Sequence, residues 1–349
     1  MKRYVPLMAV VLFILALLGL SGYVWEKQKQ AAEQAAYEAE RHLVIYSAMP
    51  DDVNRGLADE FYKKTGWRVQ IQTRTDGQIR QLMKMPNSDS PPDMIIASEQ
   101  VLQDQKKDSM LQAYTSPHTD AVPAALKDAD GYWTGLWLNP MVFIISSSYY
   151  ERNGLALQTW DDLLQDPNLT IVFPDLAAMD MAGDFLCSFV EMRGRDEAGR
   201  YLRELQRHVT SYSQSMSSNV RIVAGGDANA GVVDAAMARQ YSKDGAPIYI
   251  IYPRDGTSYW LTGAAITKWC TDGEMAYAFL NWLFSDDVDG ILRRNHIYLN
   301  YTSDTGKNVL LDAKGDNLAL FPVKKQYTAD GRRSLQDWWI KSVRFGKEP

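Results

Sequence analysis

The chain has 349 residues, 46% hydrophobic and 23% charged, with 43 acidic against 37 basic side chains and a net charge of -6. That length and composition describe a globular protein of about two domains with sizeable cores. The acidic balance excludes the basic face that general nucleic-acid binding needs, and two cysteines, Cys187 and Cys270, without a CxxC or a Cys/His cluster exclude a structural zinc site.

Lys2 and Arg3 precede an uncharged run from Val5 to Val24, about the 20 residues a helix needs to cross a bilayer. Tyr4, Tyr23 and Trp25 sit at its ends as interfacial aromatics do. Two readings stand, an uncleaved anchor and a cleaved signal peptide; both send the rest of the chain out of the cytoplasm. No cysteine follows the run, which excludes a lipoprotein anchor. Glu26 to Arg41, rich in Ala, Glu, Gln and Lys, reads as a solvated helical stalk.

Leu43 to Pro50 then reads as a short apolar strand and a small polar turn opening a helix over Val53 to Tyr62. A second strand is expected from Trp67 to Gln72 and a helix from Gln78 to Met85. A third strand, Met94 to Ala97, runs into Ser98-Glu99 and another helix. The repeated strand, polar loop and helix pattern is that of a parallel sheet covered by helices. Ligands bind at the carboxyl ends of such strands, where helix N-termini present free N–H groups.

Pro140 to Ile145 is a continuous apolar strand, and Thr159 reads as a helix cap before Asp161 and Asp162. A second α/β unit follows. It has a strand over Leu169 to Phe173, helices ending at Met192 and Arg207, one from Ser218 to Ala224, and a strand ending at Asp234. Further strands are read over Pro247 to Tyr252 and Leu261 to Lys268, with helices over Glu274 to Phe284 and Ser334 to Val343.

Taken in order, the segments Leu43-Val44-Ile45-Tyr46-Ser47, Phe61-Tyr62-Lys63-Lys64-Thr65-Gly66-Trp67, Asp130-Gly131-Tyr132-Trp133-Thr134-Gly135, Thr159-Trp160-Asp161-Asp162-Leu163, Tyr252-Pro253-Arg254-Asp255-Gly256 and Ala278-Phe279-Leu280-Asn281-Trp282 resemble the periplasmic solute-binding proteins of ABC importers, in their ferric-iron, phosphonate and organophosphate branch. The resemblance covers roughly 43–300. It implies an α/β fold, a two-lobed type II clamp behind the N-terminal helix. Lobe one would be 42–143 plus 252–300, and lobe two 144–251 plus part of 301–349. A small polar solute, an organophosphate, phosphonate or similar, would be captured between the lobes and passed to an ABC permease. A tethered sensor signalling to a membrane kinase is the alternative.

The resemblance places Tyr46, Ser47, Thr75 and Glu99 on one wall of the cleft, Asp175, Ser217, Ser218 and Asp234 on the other, and Tyr259 and Trp260 beside them. Iron-binding relatives use adjacent tyrosines near the position of Asp234. Here Ala235, Ala236 and Met237 follow, and a ferric site needs hard anionic oxygens such as phenolates, so iron is not expected. Met179-Asp180-Met181 replaces the hydroxyl-rich turn of phosphate binders, and two methionines cannot donate to an oxyanion. The carboxylates with Tyr46, Tyr259 and Trp260 would equally suit a cationic amine or a polyol. No cofactor, metal or catalytic motif is expected; G-x-S-x-G, P-loop and H-E-x-x-H are all absent.

Overall fold

The computed structural model describes residues 23, 25–29, 41–85, 91–154, 157–294, 318–323 and 327–346. The apolar N-terminal run and most of the expected stalk lie outside them. Among the described residues no helix is long and apolar enough to cross a membrane.

Ten strands form one curled sheet. β1 (His42–Ser47) pairs in parallel with β2 (Arg68–Thr73) and β3 (Met94–Ser98). β10 (Tyr259–Thr267) runs antiparallel to β3, to the two-residue β4 (Leu111–Gln112) and to β5 (Thr134–Ser146). Beyond β5 lie β8 (Ala230–Asp234), β6 (Ile171–Pro174) and β7 (Val209–Ser213), with β9 (Ile248–Ile251) also on β5.

β5 changes partners midway. Thr134 to Pro140 pairs with β10, and Met141 to Ser146 lies between β8 and β9. This strand therefore starts earlier than its apolar run announces. Gly135 and Gly263 explain the extension: a Cβ on Gly135 would stand 2.4 Å from the Leu126 carbonyl oxygen, and one on Gly263 2.5 Å from that of Thr134. Only glycine lets backbones approach so closely.

Each half has its own apolar core. Against one face of β1, β3 and β10 pack Val53, Leu57 and Phe61 of α1 (Asp51–Thr65) and Phe279 of α9 (Gly273–Trp282). α1 follows the expected spacing and ends on Gly66, whose φ of 75° is left-handed. The other face carries Ile79 of α2 (Asp76–Leu82) and Val101 and Leu102 of α3 (Glu99–Lys107). α10 (Asp286–Arg294) completes this half through Val288 and Ile291.

The second core gathers Phe143, Trp160 and Phe173 with α5 (Asp180–Arg193), α6 (Arg195–Leu205), α7 (Met216–Gly225) and α8 (Ala235–Lys243); α4 (Ser147–Asn153) flanks it. Trp160 meets Phe143 edge to face at 4.8 Å, and its indole N–H donates to the Gly256 carbonyl at 2.9 Å. The expected helix behind Thr159 is a single 3-10 turn, Asp161–Leu164, because the Asp162 carboxylate accepts from Gln158 N and Thr159 N and holds the entry non-helical. The late helix starts earlier than expected: α11 spans Ala329–Trp339 and runs into a π turn, Ile340–Arg344. Trp339 and Val343 bury it in the second core.

Where the N-terminal segment enters β1, Arg41 makes a two-point ion pair with Asp272, both contacts at 2.6 Å, and its guanidinium lies over Trp67. Cys187 is buried in α5 and Cys270 half-buried behind β10; both are free thiols in different halves.

Candidate functional site

The two cores meet where β5 crosses from its partner β10 to β8 and β9. Trp260 is in register with Asn139 and Tyr259 with Pro140, one residue before β5 changes partners. A cavity opens beside this crossing. Ser98 and Glu99 line it from the β3–α3 junction, Trp260 from β10, Asp184 from α5, and Tyr327 and Arg332 from the tail. Its free volume is about 20 Å³, room for about one water molecule.

The local sequence explains each wall. β3 ends in Ala97-Ser98, and α3 starts at Glu99 with Ser98 as its N-cap residue. The Glu99 carboxylate accepts from the Gln103 amide at 3.0 Å, one helical turn on. In α5, Asp180, Asp184 and Ser188 recur every fourth residue and so share a face. Arg332 of α11 docks on that face. It pairs with Asp184, and its Nη1 donates to the Asp180 carbonyl at 3.3 Å. The Tyr327 and Ser188 hydroxyls share a hydrogen bond at 2.9 Å, and Ser258 adds a 3.4 Å contact to Ser188.

Two of the residues that line this cavity each carry a buried polar atom with no hydrogen-bond partner among the described residues: Ser98 Oγ and Arg332 Nε. Such atoms are uncommon in folded proteins. Burial pushes the Tyr259 phenol well above its usual range, and the Glu99 carboxylate adds to that. Burial also raises the Tyr327 phenol, which the bond to Ser188 opposes.

Of the residues expected at the cleft, Glu99 and Trp260 line this cavity, and Tyr259 neighbours it. The others are placed elsewhere, mostly at structural tasks. Ser47 is fully buried, and its hydroxyl accepts from Met49 N at 3.2 Å. Tyr46 is buried beneath the Arg74 guanidinium. Thr75 closes a capping box with Gln78 at the start of α2. Ser218 lies within a cap cluster, its hydroxyl 2.7 Å from Ser215 Oγ and receiving Arg221 at 3.0 Å. Ser217 stands 3.3 Å from the same Ser215 oxygen.

Asp234 is the N-cap of α8, accepting from Met237 N and from the Asn139 amide, each at 2.9 Å. Asp175 is buried in an ion pair with Arg344 and accepts from Ala177 N. The positive end of α1 also carries its own acids: Asp51 bonds the Thr73 hydroxyl, and Asp52 accepts from Val53 N. An incoming anion would meet those carboxylates first.

Asp184, Tyr327 and Arg332 were not anticipated. The fourfold spacing on α5 marks a shared face, but nothing local in the sequence announces that a tail 148 residues away will cover it.

Residues 56–291 match the family profile described as bacterial extracellular solute-binding protein. An uncharacterized protein of Haemophilus influenzae is 25% identical over 252 residues, 68% of this chain and 72% of the relative. An Fe(3+)-binding periplasmic protein of Serratia marcescens is 22% identical over 280 residues, 75% of this chain and 79% of the relative. Among solved structures, the periplasmic binding protein AfuA of Actinobacillus pleuropneumoniae, with fructose-6-phosphate bound, superposes with a TM-score of 0.65. It is 19% identical and covers 87% of this chain and 98% of its own. The superposition establishes a shared fold.

Proposed function

The chain belongs to the bacterial extracellular solute-binding proteins, and on that premise we propose that it captures a small polar solute between two lobes outside the cytoplasmic membrane and delivers it to an ABC permease. The lobes are 42–143 with 252–300 and 144–251 with part of the tail. The N-terminal run is the tether. Binding occurs without turnover.

One observation carries this reading. A polar cavity lies at the strand crossing and is lined from both cores, by Glu99 and Trp260 on one side and Asp184 and Arg332 on the other. Separation and closure of two cores about crossing strands is the motion that sequesters ligands in such clamps.

The cavity chemistry narrows the solute. Among the described lining residues, two carboxylates, Glu99 and Asp184, stand with one guanidinium, which Asp184 engages. A dianionic organophosphate is disfavoured there, and its expected donors Ser217 and Ser218 are held in a helix cap. A neutral polyol or an ammonium-bearing solute suits the walls better. Ferric iron is disfavoured because Asp234 is followed by Ala235 and Ala236 in place of the adjacent tyrosines that iron-binding relatives carry.

A thermal-shift screen against polyols, amines, amino acids, sugar phosphates and Fe³⁺ tests the reading. A solute at 100 times its Kd adds about 2.7 kcal/mol of stability. A shift with Fe³⁺ alone would overturn the ligand assignment.

A further inference from the structure

We propose that the tail forms a third strand of the hinge, a strap that limits how far the two halves separate. This goes beyond the receptor reading, because it concerns the protein at rest without a solute.

Among the described residues, two segments carry the chain between the halves: β5, which changes partners after Pro140, and the linker over 252–258 from β9 to β10. They are bonded side by side at that point. Met141 N donates to the Ser258 carbonyl at 2.9 Å, and the Thr257 hydroxyl donates to the Met141 carbonyl at 2.8 Å. The tail lies along the linker as a further strand. Leu320 bridges Thr257 in parallel. Thr257 N donates to the Ala319 carbonyl at 3.2 Å, and Phe321 N to the Thr257 carbonyl at 2.9 Å. Gly256 makes room for this approach. Its φ of 98° is left-handed, and a Cβ there would stand 3.1 Å from the Leu320 carbonyl oxygen.

Neighbouring residues hold the strap on both sides. Leu320, half-buried, packs against the core that contains Leu138, Tyr259 and Leu261. Phe321, 3% exposed, packs into the other core, its ring 6.2 Å from that of Trp160 and 6.1 Å from that of Phe189. Consecutive Cα atoms are about 3.8 Å apart, so the cores cannot draw apart here unless one of these side chains leaves its place. The rest of the tail is fastened to the second half. The Gln336 amide donates to the Leu176 carbonyl at 3.0 Å, and Arg332 pairs with Asp184. The Tyr327 and Ser188 hydroxyls lie 2.9 Å apart, and Ser258 Oγ donates to Ser188 Oγ at 3.4 Å, which ties tail, α5 and linker together. Leu320 is thus the hold that yields first. Opening the halves costs its apolar burial, and the strap sets their resting separation.

The test is double electron–electron resonance on the full chain in detergent, without solute, in a Cys187→Ala, Cys270→Ala background. Spin labels on Lys107→Cys and Arg200→Cys report the separation of the halves. Labels on Arg200→Cys and Lys243→Cys report the second half alone; all three positions are exposed. Leu320→Ala should lengthen the 107–200 distance or broaden its distribution by more than about 2 Å, with the 200–243 distance unchanged. Tyr327→Phe keeps the ring and removes the Ser188 contact, so it should shift the 107–200 distance in the same direction by less. An unchanged 107–200 distance in both variants would overturn the proposal. An equal change within the second half would overturn it too, marking the tail as core packing instead of a strap. Either failure leaves the receptor reading standing, since the thermal-shift screen tests that reading independently.

Discussion

Arg344 donates from Nη1 to Asp175 Oδ2 at 2.5 Å, across 169 residues of sequence. This contact turns an acid expected to meet solute into a clasp for the tail. Asp175 also accepts from Ala177 N, and the Gln336 amide donates nearby to the Leu176 carbonyl. Asp175→Asn should therefore lower stability and spare binding. A fully buried pair broken on one side costs roughly 3–5 kcal/mol. Arg344 is 31% exposed, which screens the pair, so a loss of roughly 1–2 kcal/mol is expected. Urea unfolding and titration on the same sample check both halves; a tenfold loss of affinity with unchanged stability would return Asp175 to the ligand.

Asp234 and Trp260 should part company. Asp234 caps α8 and holds Asn139, so Asp234→Ala should cost roughly 0.5–2 kcal/mol of stability with an affinity change of less than threefold. Trp260→Ala enlarges the cavity wall and should weaken solute binding tenfold or more, with a smaller effect on the melting temperature. Circular dichroism melts beside binding isotherms separate the two effects.

How much of this was legible beforehand depends on range. The β1–α1 unit could be read because Val53, Leu57 and Phe61 announce their own face and Gly66 its own stop. Glu99 could be placed because a strand followed directly by a helix puts that residue at the sheet's carboxyl edge. Asp175 and Asp234 share that position by sequence, yet one is neutralised by Arg344 and the other spent on the Met237 N–H and the Asn139 side-chain amide. Which acid keeps a view of the cavity is decided by partners far away in the chain. Arg332 shows the same limit from the other side. Its helix is ordinary in sequence, and its role follows only from docking on Asp180 and Asp184.

The close approach of β5 to its neighbours at Gly135 predicts a packing defect. A methyl group at Gly135 would meet the Leu126 carbonyl at 2.4 Å and Leu261 at 2.9 Å. Backbone cannot yield as a side-chain tip can, so Gly135→Ala should destabilise by roughly 1–3 kcal/mol. Gly183→Ala, whose nearest contact at 2.8 Å is the end of the Gln336 side chain, should cost less. Melting temperatures of the two variants give the order directly.

The thiols make the fold sensitive to alkali. Burial pushes the Cys187 thiol up to about 12 and the Cys270 thiol up to about 11, against about 8.5 when unfolded. The unfolded chain therefore loses these protons first, and stability falls as pH rises above about 8.5 toward the folded values. For Cys187 the loss between pH 7.5 and 10 should be about 1–2 kcal/mol. The comparison is the urea midpoint of wild type and Cys187→Ala at both pH values. A wild-type slope identical to that of the variant would contradict the assignment.

Capture of a solute between two cores is tested most directly by hydrogen exchange on the full chain, with and without its tightest-binding solute. The backbone around 98–103 in one core and 327–332 in the tail on the other should gain protection together and to a similar degree. Protection confined to one of these segments, or appearing only at the Ser215 and Asp234 helix caps, would contradict a ligand held at this crossing.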